Sequence, residues 1–251
     1  HLSVAAFYKS EVQINFLADV AQDSSALVRM RVARLLHCFL TELPDRYDHQ
    51  TRLLPYCLDL LCDPTPEVAQ AALATITRCG VQYEDEHQDE IIERRQYGVD
   101  GDRRMNLDKP LPPPFTERPR LGQRLYVRGN CKRFLVALVS ELTNWVGTTR
   151  LKSANLLKMV VVFTEEHLTM EAYTLLPAFI KALGFAREDT DKDLQGILLE
   201  TYELVGRYVA PDVYLRWILP RLSGDPSVAQ FGVRVSVCLC VSLCVSVCLC
   251  V

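Results

Sequence analysis

The sequence lacks the short motifs that most often mark an enzyme. It has no glycine-rich phosphate loop G-x-x-x-x-G-K-[ST], no dinucleotide-binding G-x-G-x-x-G, no H-E-x-x-H and no nucleophile elbow. Four of its five histidines, His37, His49, His87 and His167, are far from one another along the chain. The sequence therefore predicts a protein that is not an enzyme, with no catalytic residue, no cofactor and no metal site.

The sequence also has little net charge, and it lacks a signal peptide at its start. The net charge is -3 over 251 residues, whereas nucleic-acid binding requires a concentrated basic face. We therefore expect no nucleic-acid partner. The first residues, HLSVAAFYKSEV, contain neither a charged region followed by a long apolar run nor a cleavage site. We expect the chain to be a fragment that begins inside a longer protein.

The cysteines do not form a disulfide framework. Half of the 10 cysteines lie in the last residues, and the others are Cys38, Cys57, Cys62, Cys79 and Cys131 at irregular spacing. This distribution is typical of buried free thiols in a reducing compartment. Since cysteines five apart on a helix point in different directions, we predict that Cys57 and Cys62 are core thiols and not metal ligands.

The last segment, VSVCLCVSLCVSVCLCV at residues 235–251, alternates strictly between Val or Leu and Ser or Cys. A membrane helix would need about 20 predominantly apolar residues, and a strand of this length would greatly exceed the usual size. Codons of a degenerate TG dinucleotide repeat encode these residue types. We interpret residues 233–251 as a low-complexity tail translated from such a repeat, and we expect no membrane partner.

Two stretches of the chain share one pattern. Residues 23–39, DSSALVRMRVARLLHCF, align with residues 63–79, DPTPEVAQAALATITRC, and each begins with Asp and has Val at its sixth position. The leading Asp can accept hydrogen bonds at the start of a helix. We interpret both stretches as second helices of helical hairpins. Their apolar residues at helical spacing are Val28, Val32, Leu35, Leu36, Val68, Ala72, Leu73 and Ile76.

A proline recurs in the first helices of these hairpins. The segments LLPYCLDLL, LLPAFIKAL and ILPRL place Pro55, Pro177 and Pro220 within apolar helical sequence. A proline inside a helix removes one backbone hydrogen bond and bends the helix. The spacing of these prolines fits multiples of roughly 40 residues, the length of a two-helix repeat.

The repeat pattern is interrupted at residues 82–128. This stretch begins with the charged but helix-compatible YEDEHQDEIIERRQYG and continues through a proline-rich part that favours an extended path. We interpret it as an insertion between helical repeats at residues 1–81 and helical repeats at residues 129–232. The helices that we predict after the proline-rich part are 125–144, 149–163, 169–184, 191–209 and 211–222.

This unit of two amphipathic helices, with a proline in the first and an Asp-led turn before the second, resembles the HEAT repeat. Each hairpin has an apolar face that only a neighbouring hairpin can cover, so the units stack into a curved array. The predicted fold class is therefore an all-α solenoid with a Pro-rich inserted loop.

Three longer segments are similar to one family. They are LLPYCLDLLCDPTPEVAQAA, NLDKPLPPPFTERPRLGQRLYVRGN and ELTNWVGTTRLKSANLLKMVVVFTEEHL, and they look like the HEAT-repeat assembly factors of axonemal dynein. The resemblance extends to about Phe231 and is most specific in the Pro-rich insertion. It implies a non-enzymatic cytoplasmic scaffold in ciliated cells. Such a scaffold binds dynein chains, including intermediate chains, together with chaperones and other assembly factors, and motile cilia need it.

The repeat pattern alone is also compatible with a HEAT-repeat adaptor of another class. A transport receptor or a phosphatase scaffold would have the same helical hairpins, since these hairpins are generic. The resemblance in the insertion favours the assembly factor.

The insertion contains candidate partner-binding residues, in which charge alternates with aromatic rings. They are Lys109, Phe115, Arg118, Arg120 and Tyr126. This pattern would suit an acidic partner or a nucleic acid. The alternative is that the loop packs on its own solenoid, with Phe115 and the prolines covering a ridge of the helices.

Two further features lie near helix ends. Trp145, beside a hairpin turn, is either a surface anchor for a partner, because binding hot spots favour Trp, or a core residue that closes the hairpin. Glu165, Glu166 and His167 combine two carboxylates and an imidazole. Neighbours in a helix-entry turn do not converge on one metal ion, so we predict a solvated helix cap there.

Overall fold

The structure, a computed structural model, describes residues 15–97, 110–185, 192–210, 212–213 and 215–216. The regular structure in these ranges is helical, which confirms the predicted fold class. The 3₁₀ segments Leu60–Cys62 and Glu165–Glu171 precede α4 and α8. The helices are α1 Phe16–Ala21, α2 Ala26–Thr41, α3 Arg46–Asp59, α4 Pro66–Glu86, α5 Gln88–Tyr97, α6 Leu121–Glu141, α7 Gly147–Thr164, α8 Ala172–Phe185 and α9 Lys192–Tyr208.

Several predictions concern residues outside these ranges. They are the candidate site residue Lys109, the proline Pro220, most of the predicted helix at 211–222, and the tail at 233–251. The division into two repeat regions, an insertion and a tail stays a prediction.

The helices pair and stack as repeats. α2 and α4 are second helices, as predicted, and Pro55 and Pro177 lie inside the first helices α3 and α8. α2 packs on α4 and α7 packs on α9, so the second helices form a layer of two separate pairs. α3, α6 and α8 form the other layer. None of the helices within the described ranges is both long and apolar enough to cross a membrane.

The predicted core positions of α2 and α4 are largely confirmed. Leu36, Val68, Ala72 and Ile76 are fully buried and belong to one continuous core. Leu35 and Val28 differ from the prediction, because Leu35 is 38% exposed and Val28 is only partly buried and lies outside this core. The core continues through α7 and α9, whose buried residues pack in the same cluster.

An arginine–aspartate contact links successive repeats. Arg29 donates to both carboxylate oxygens of Asp63 in the next repeat, from Nε at 2.6 Å and from Nη2 at 3.0 Å. It also donates to the carbonyl oxygens of Asp23 and Ser24 in its own turn. The Asp63 carboxylate in turn accepts the backbone N–H of Thr65 at the start of α4. The leading Asp thus binds the residue just before its helix, and not the first helical turn as predicted, and it also pairs with the arginine of the previous repeat.

The same turn recurs before α7, but not fully before α4. Arg150 donates to the carbonyl oxygens of Asn144 and Trp145, just as Arg29 does in the first turn. In α4 the corresponding position, six residues after Asp63, is Ala69. The series of turn arginines is therefore interrupted at α4.

The boundaries of the insertion differ from the prediction. α4 continues to Glu86, and α6 begins at Leu121, four residues before the predicted start. The reason is a close crossing of these helices: a Cβ atom on Gly122 would lie 2.1 Å from the carbonyl oxygen of Gly80. Both ends of the predicted insertion are thus helical, and they belong to α4 and α6, which pack against each other.

Candidate partner-binding groove

Residues 110–120, which we call the strap, run across the solenoid between α4 and α7. The ring of Phe115 is 7% exposed and meets Phe163 of α7 edge to face, with ring centroids 5.3 Å apart. Toward α4, the Nε2 of Gln70 lies 3.5 Å from the carbonyl oxygen of Pro114. The packing alternative therefore describes this part of the insertion.

A buried carboxylate at the end of α7 binds the end of the strap. Glu165, at the end of α7, is fully buried and has a positive φ of 50°. Arg118 of the strap donates to it with two nitrogens, at 2.9 and 2.8 Å. Arg124 and Arg128 of α6 donate to the same carboxylate, at 2.7 and 3.2 Å. Glu165 thus joins three segments, since charge-assisted hydrogen bonds compensate for its burial.

The prediction of a solvated helix cap is therefore wrong for Glu165. Its partners lie far upstream in sequence, on the strap and on α6, and the local sequence gives no sign of them. Glu166 is more exposed and pairs with Arg128. Burial and the nearby Arg128 guanidinium lower the pKa of His167. Within the described ranges, no group of three or more His, Cys, Asp or Glu side chains could hold a metal ion.

A second polar contact fixes the start of α6. Glu84 of α4 accepts the backbone N–H of Gly122 at 2.9 Å and pairs with Arg120 at 2.8 Å. The backbone N–H of Arg120 donates to Gln123, as in a capping box. Burial alone would raise the pKa of Glu84, but the bond from Gly122 and the Arg120 guanidinium lower it below its ordinary value.

A groove of about 590 Å³ lies between the strap, the start of α4 and α7. Its apolar lining includes Leu61, Ala69, Phe115 and Met159. The groove exists because α4 and α7, both fully described, do not pack extensively on each other as other second helices do. Polar side chains also reach it, namely Asp63, Gln70, Thr116, Asn155 and Lys158.

The charged side chains in the groove lining are each paired. Asp63 binds Arg29, and Lys158 lies 2.9 Å from Glu200 of α9. Burial alone would raise the pKa of Asp63, but its hydrogen bonds from Arg29 and Thr65 lower it below the ordinary value. The described lining therefore has no net charge.

The structure separates the predicted partner-binding residues of the insertion. Phe115 and Tyr126 are buried, at 7% and 6% exposure, so neither ring lies on the surface. Arg118 is bound to Glu165. The side chain of Arg120 is 55% exposed beside Glu84. Partner contact through Arg120 stays a prediction, whereas Phe115 and Tyr126 belong to the core.

Trp145 is exposed, so its interpretation as a core residue that closes the hairpin is wrong. It is 90% exposed, because the turn before α7 closes through polar contacts instead. The Oδ1 of Asn144 accepts the backbone N–H of Val146, and Arg150 binds the carbonyl oxygens of Asn144 and Trp145. The turn holds the Trp145 backbone while its indole faces outward, which leaves the surface-anchor interpretation as a prediction.

The cysteines of the described ranges are free thiols. Cys57, Cys79 and Cys131 are buried, as predicted, and burial raises the pKa of Cys79 and Cys131 to about 11. Cys38 is exposed, which the prediction of buried thiols missed. Cys62 is half-buried beside the groove, and burial raises its pKa to about 12.

Comparison with known families gives two matches that together cover most of the chain. A model of the HEAT-repeat domain of dynein axonemal assembly factor 5 matches residues 110–245. A model of the TPR repeats of dynein axonemal assembly factor 5-like proteins matches residues 8–94. The first match extends into the alternating tail, whose origin stays a prediction. No solved structure shows significant similarity to the chain.

The curated proteins that are similar to the chain are also dynein axonemal assembly factor 5 proteins. The chain is 30% identical over 218 residues to dynein axonemal assembly factor 5 of Mus musculus, covering 86% of this chain and 24% of the relative. It is 32% identical over 217 residues to that of Homo sapiens, covering 85% of this chain and 24% of the relative. The protein of Xenopus laevis is 28% identical over 231 residues, 90% of this chain and 26% of the relative. The chain thus spans about a quarter of the length of these relatives.

The stacked hairpins define a helical-repeat protein with an all-α solenoid fold. The chain belongs to the dynein axonemal assembly factor 5 family. This membership agrees with the resemblance in the proline-rich insertion.

Proposed function

We propose that this chain is part of a non-enzymatic scaffold that acts in the cytoplasm of ciliated cells during preassembly of axonemal dynein arms. The observation that carries the proposal is the match of the HEAT-repeat domain model to residues 110–245. The partners would be dynein chains, including intermediate chains, together with chaperones and other assembly factors. Motile cilia would depend on the protein.

The surface of the structure has features that suit the binding of other proteins, which supports the proposal. Stacked repeats present long faces to other proteins, and this chain adds an open groove and the exposed Trp145. Large exposed aromatic side chains held by a fixed backbone are common anchors at protein interfaces. These features suit protein partners.

Affinity purification tests the proposal. We expect the full-length protein, recovered from cells that are building motile cilia, to carry dynein heavy and intermediate chains, as measured by mass spectrometry. Recovery of no dynein chain and no assembly factor would contradict the proposal. A small GTPase or a phosphatase catalytic subunit in their place would favour an adaptor of another class.

A substitution of Trp145 tests the anchor. Trp145→Ala should reduce the recovered dynein chains about tenfold if the indole contributes a typical hot-spot energy. It should leave the unfolding temperature unchanged, since the indole is 90% exposed. The matched control is Met170→Ala, another exposed apolar side chain, which should recover dynein chains as the wild type does. Equal recovery with Trp145→Ala would exclude Trp145 as an anchor.

A further inference from the structure

The groove lies where the series of turn arginines is interrupted. Arg29 and Arg150 fill the corresponding space in their repeats and bind the carbonyl oxygens of their own turns. Ala69 occupies this position in α4, is 4% exposed and lines the groove. A small side chain thus leaves open the space that arginine occupies in the neighbouring units.

The groove combines an apolar floor with carboxamide groups at its sides. Leu61, Phe115 and Met159 are buried residues whose side chains line the floor. Gln70 stands on α4, and Asn155 stands on α7. The Nδ2 of Asn155 donates to the carbonyl oxygen of Leu151, and its Oδ1 accepts no hydrogen bond from the described residues. A carboxamide offers both a donor and an acceptor, as a peptide backbone requires.

The charges of the groove restrict what it can bind. Asp63 is neutralised by Arg29, and Lys158 is paired with Glu200. A charged group entering the groove would lose its hydration and find no free opposite charge in the described lining, which is unfavourable. An uncharged ligand avoids this loss. The neutral lining is therefore complementary to a neutral occupant.

We propose that the groove binds an extended, uncharged segment of a client polypeptide, with an apolar side chain on the floor and its backbone against Gln70 and Asn155. An extended segment has unpaired backbone groups that the carboxamides can satisfy, whereas a helix pairs its own. The volume of about 590 Å³ is within the range of ligand pockets. This inference rests on the proposed scaffold function and names the kind of client segment.

The test fills the groove without disturbing the repeats. Ala69→Arg restores the residue type that Arg29 and Arg150 provide at the same position. Its guanidinium can bind the carbonyl oxygens of its own turn, as theirs do, while the rest of its side chain occupies the groove. Ala74→Arg is the matched control, since Ala74 is exposed on the same helix and does not line the groove. Gln70→Ala is a second variant, which removes one carboxamide from an exposed position.

The probe is a set of overlapping peptides tiled across the dynein heavy and intermediate chains, with binding to the full-length protein measured by fluorescence anisotropy. We expect the bound peptides to be uncharged over their central residues. Ala69→Arg should weaken their binding about tenfold or more, Gln70→Ala should weaken it less, and Ala74→Arg should leave it unchanged. Circular dichroism shows that each variant is folded.

Three results would overturn the inference: equal binding by Ala69→Arg, preference for charged peptides, or binding of no peptide by the wild-type protein. Each of these can occur while dynein chains still co-purify with the full-length protein, in which case the scaffold function stands and the groove is not its client site. Loss of co-purification itself would count against the scaffold function.

Discussion

The buried carboxylate of Glu165 joins the strap, α6 and the end of α7. Removing a charge from such a cluster leaves the opposite charges buried without the carboxylate that they share, which is far more destabilising than losing a surface pair. The positive φ of Glu165 adds local strain. The surrounding arginine contacts hold the residue in that conformation.

Glu165→Gln should therefore lower the free energy of unfolding by about 3–5 kcal/mol. Denaturant titration followed by circular dichroism measures the change. Glu166→Gln is the control, because the neighbouring side chain is 40% exposed and pairs with Arg128; it should cost less than about 1 kcal/mol. Similar effects of the two substitutions would show that Glu165 is not the shared centre of the cluster.

The Arg29–Asp63 contact should make stability depend on acid pH. The folded pKa of Asp63 is lowered, so this carboxylate contributes full stability above its ordinary pKa near 4. The contribution is lost as pH falls below that value through the folded pKa. Asp63→Asn should be about 3 kcal/mol less stable at neutral pH.

The variant should also lose less of its remaining stability on acidification than the wild type does. Unfolding midpoints measured from neutral pH to below pH 4 check the sign. Parallel loss in both proteins would contradict the assignment. Glu84, whose pKa is also lowered, remains in the variant and keeps part of the acid dependence.

The sequence alone predicts only some of the contacts that individual residues make. Asp23 and Asp63 accept the backbone N–H of Ser25 and Thr65, the residues just before α2 and α4, and not one from the first helical turn as predicted. The cluster around Glu165 could not be predicted, because no local pattern brings Arg118 or Arg124 to a carboxylate so far along the chain. The sequence could not decide between the two interpretations of Trp145, because the polar closure of its turn depends on Arg150 in the following helix.

Among the secondary-structure elements, α4 and α6 make the closest approach. A Cβ atom at Gly80 would lie 2.6 Å from Gln123, and one at Gly122 would meet the backbone of Gly80. Backbone atoms cannot move aside as a flexible side chain can, so the crossing requires glycine at both positions. The predicted helix boundaries failed here, since this contact extends both helices into the predicted insertion.

Gly122→Ala should destabilise the protein by about 1–3 kcal/mol, because the added methyl group forces the two backbones apart. The matched control is Gly129→Ala on the same helix, where an added Cβ has no heavy atom within 4 Å. That control should stabilise the protein by roughly 0.5–1 kcal/mol through the lower entropy of the unfolded chain. Thermal unfolding of both variants distinguishes the two effects, and a neutral Gly122→Ala would contradict the close crossing.

At the scale of the whole molecule, the fold was predictable because the same amphipathic helix pattern recurs in successive units. One amphipathic helix is ambiguous, but the same Asp, Val and Pro positions in successive units predict stacked hairpins. The groove was not predictable, since it depends on the distance between α4 and α7 and on the path of the strap. The alanine at position 69 is visible in the sequence, but its meaning requires the contacts of Arg29 and Arg150.

Stacked repeats should also confine the effect of a core substitution. Leu36→Ala in α2 removes a fully buried side chain and should cost about 2–5 kcal/mol locally. α2 packs on α1, α3 and α4, whereas α8 and α9 contact later elements. Since stability in repeat proteins is largely a sum of neighbour terms, hydrogen exchange should accelerate in the early helices.

The same measurement provides its own control, because the amides of α8 and α9 should exchange as in the wild type. Uniform acceleration along the whole chain would mean that the repeats unfold as one cooperative unit. Mass spectrometry of peptic fragments resolves the two outcomes.

The glycine pair at the α4–α6 crossing has a geometric consequence for the array. The interaxial distance of packed helices depends on the side chains at their contact, and here those side chains are absent. The axes of α4 and α6 therefore lie closer together at this crossing than side chains would allow. The earlier and later repeats are thus joined here by direct contact between two backbones.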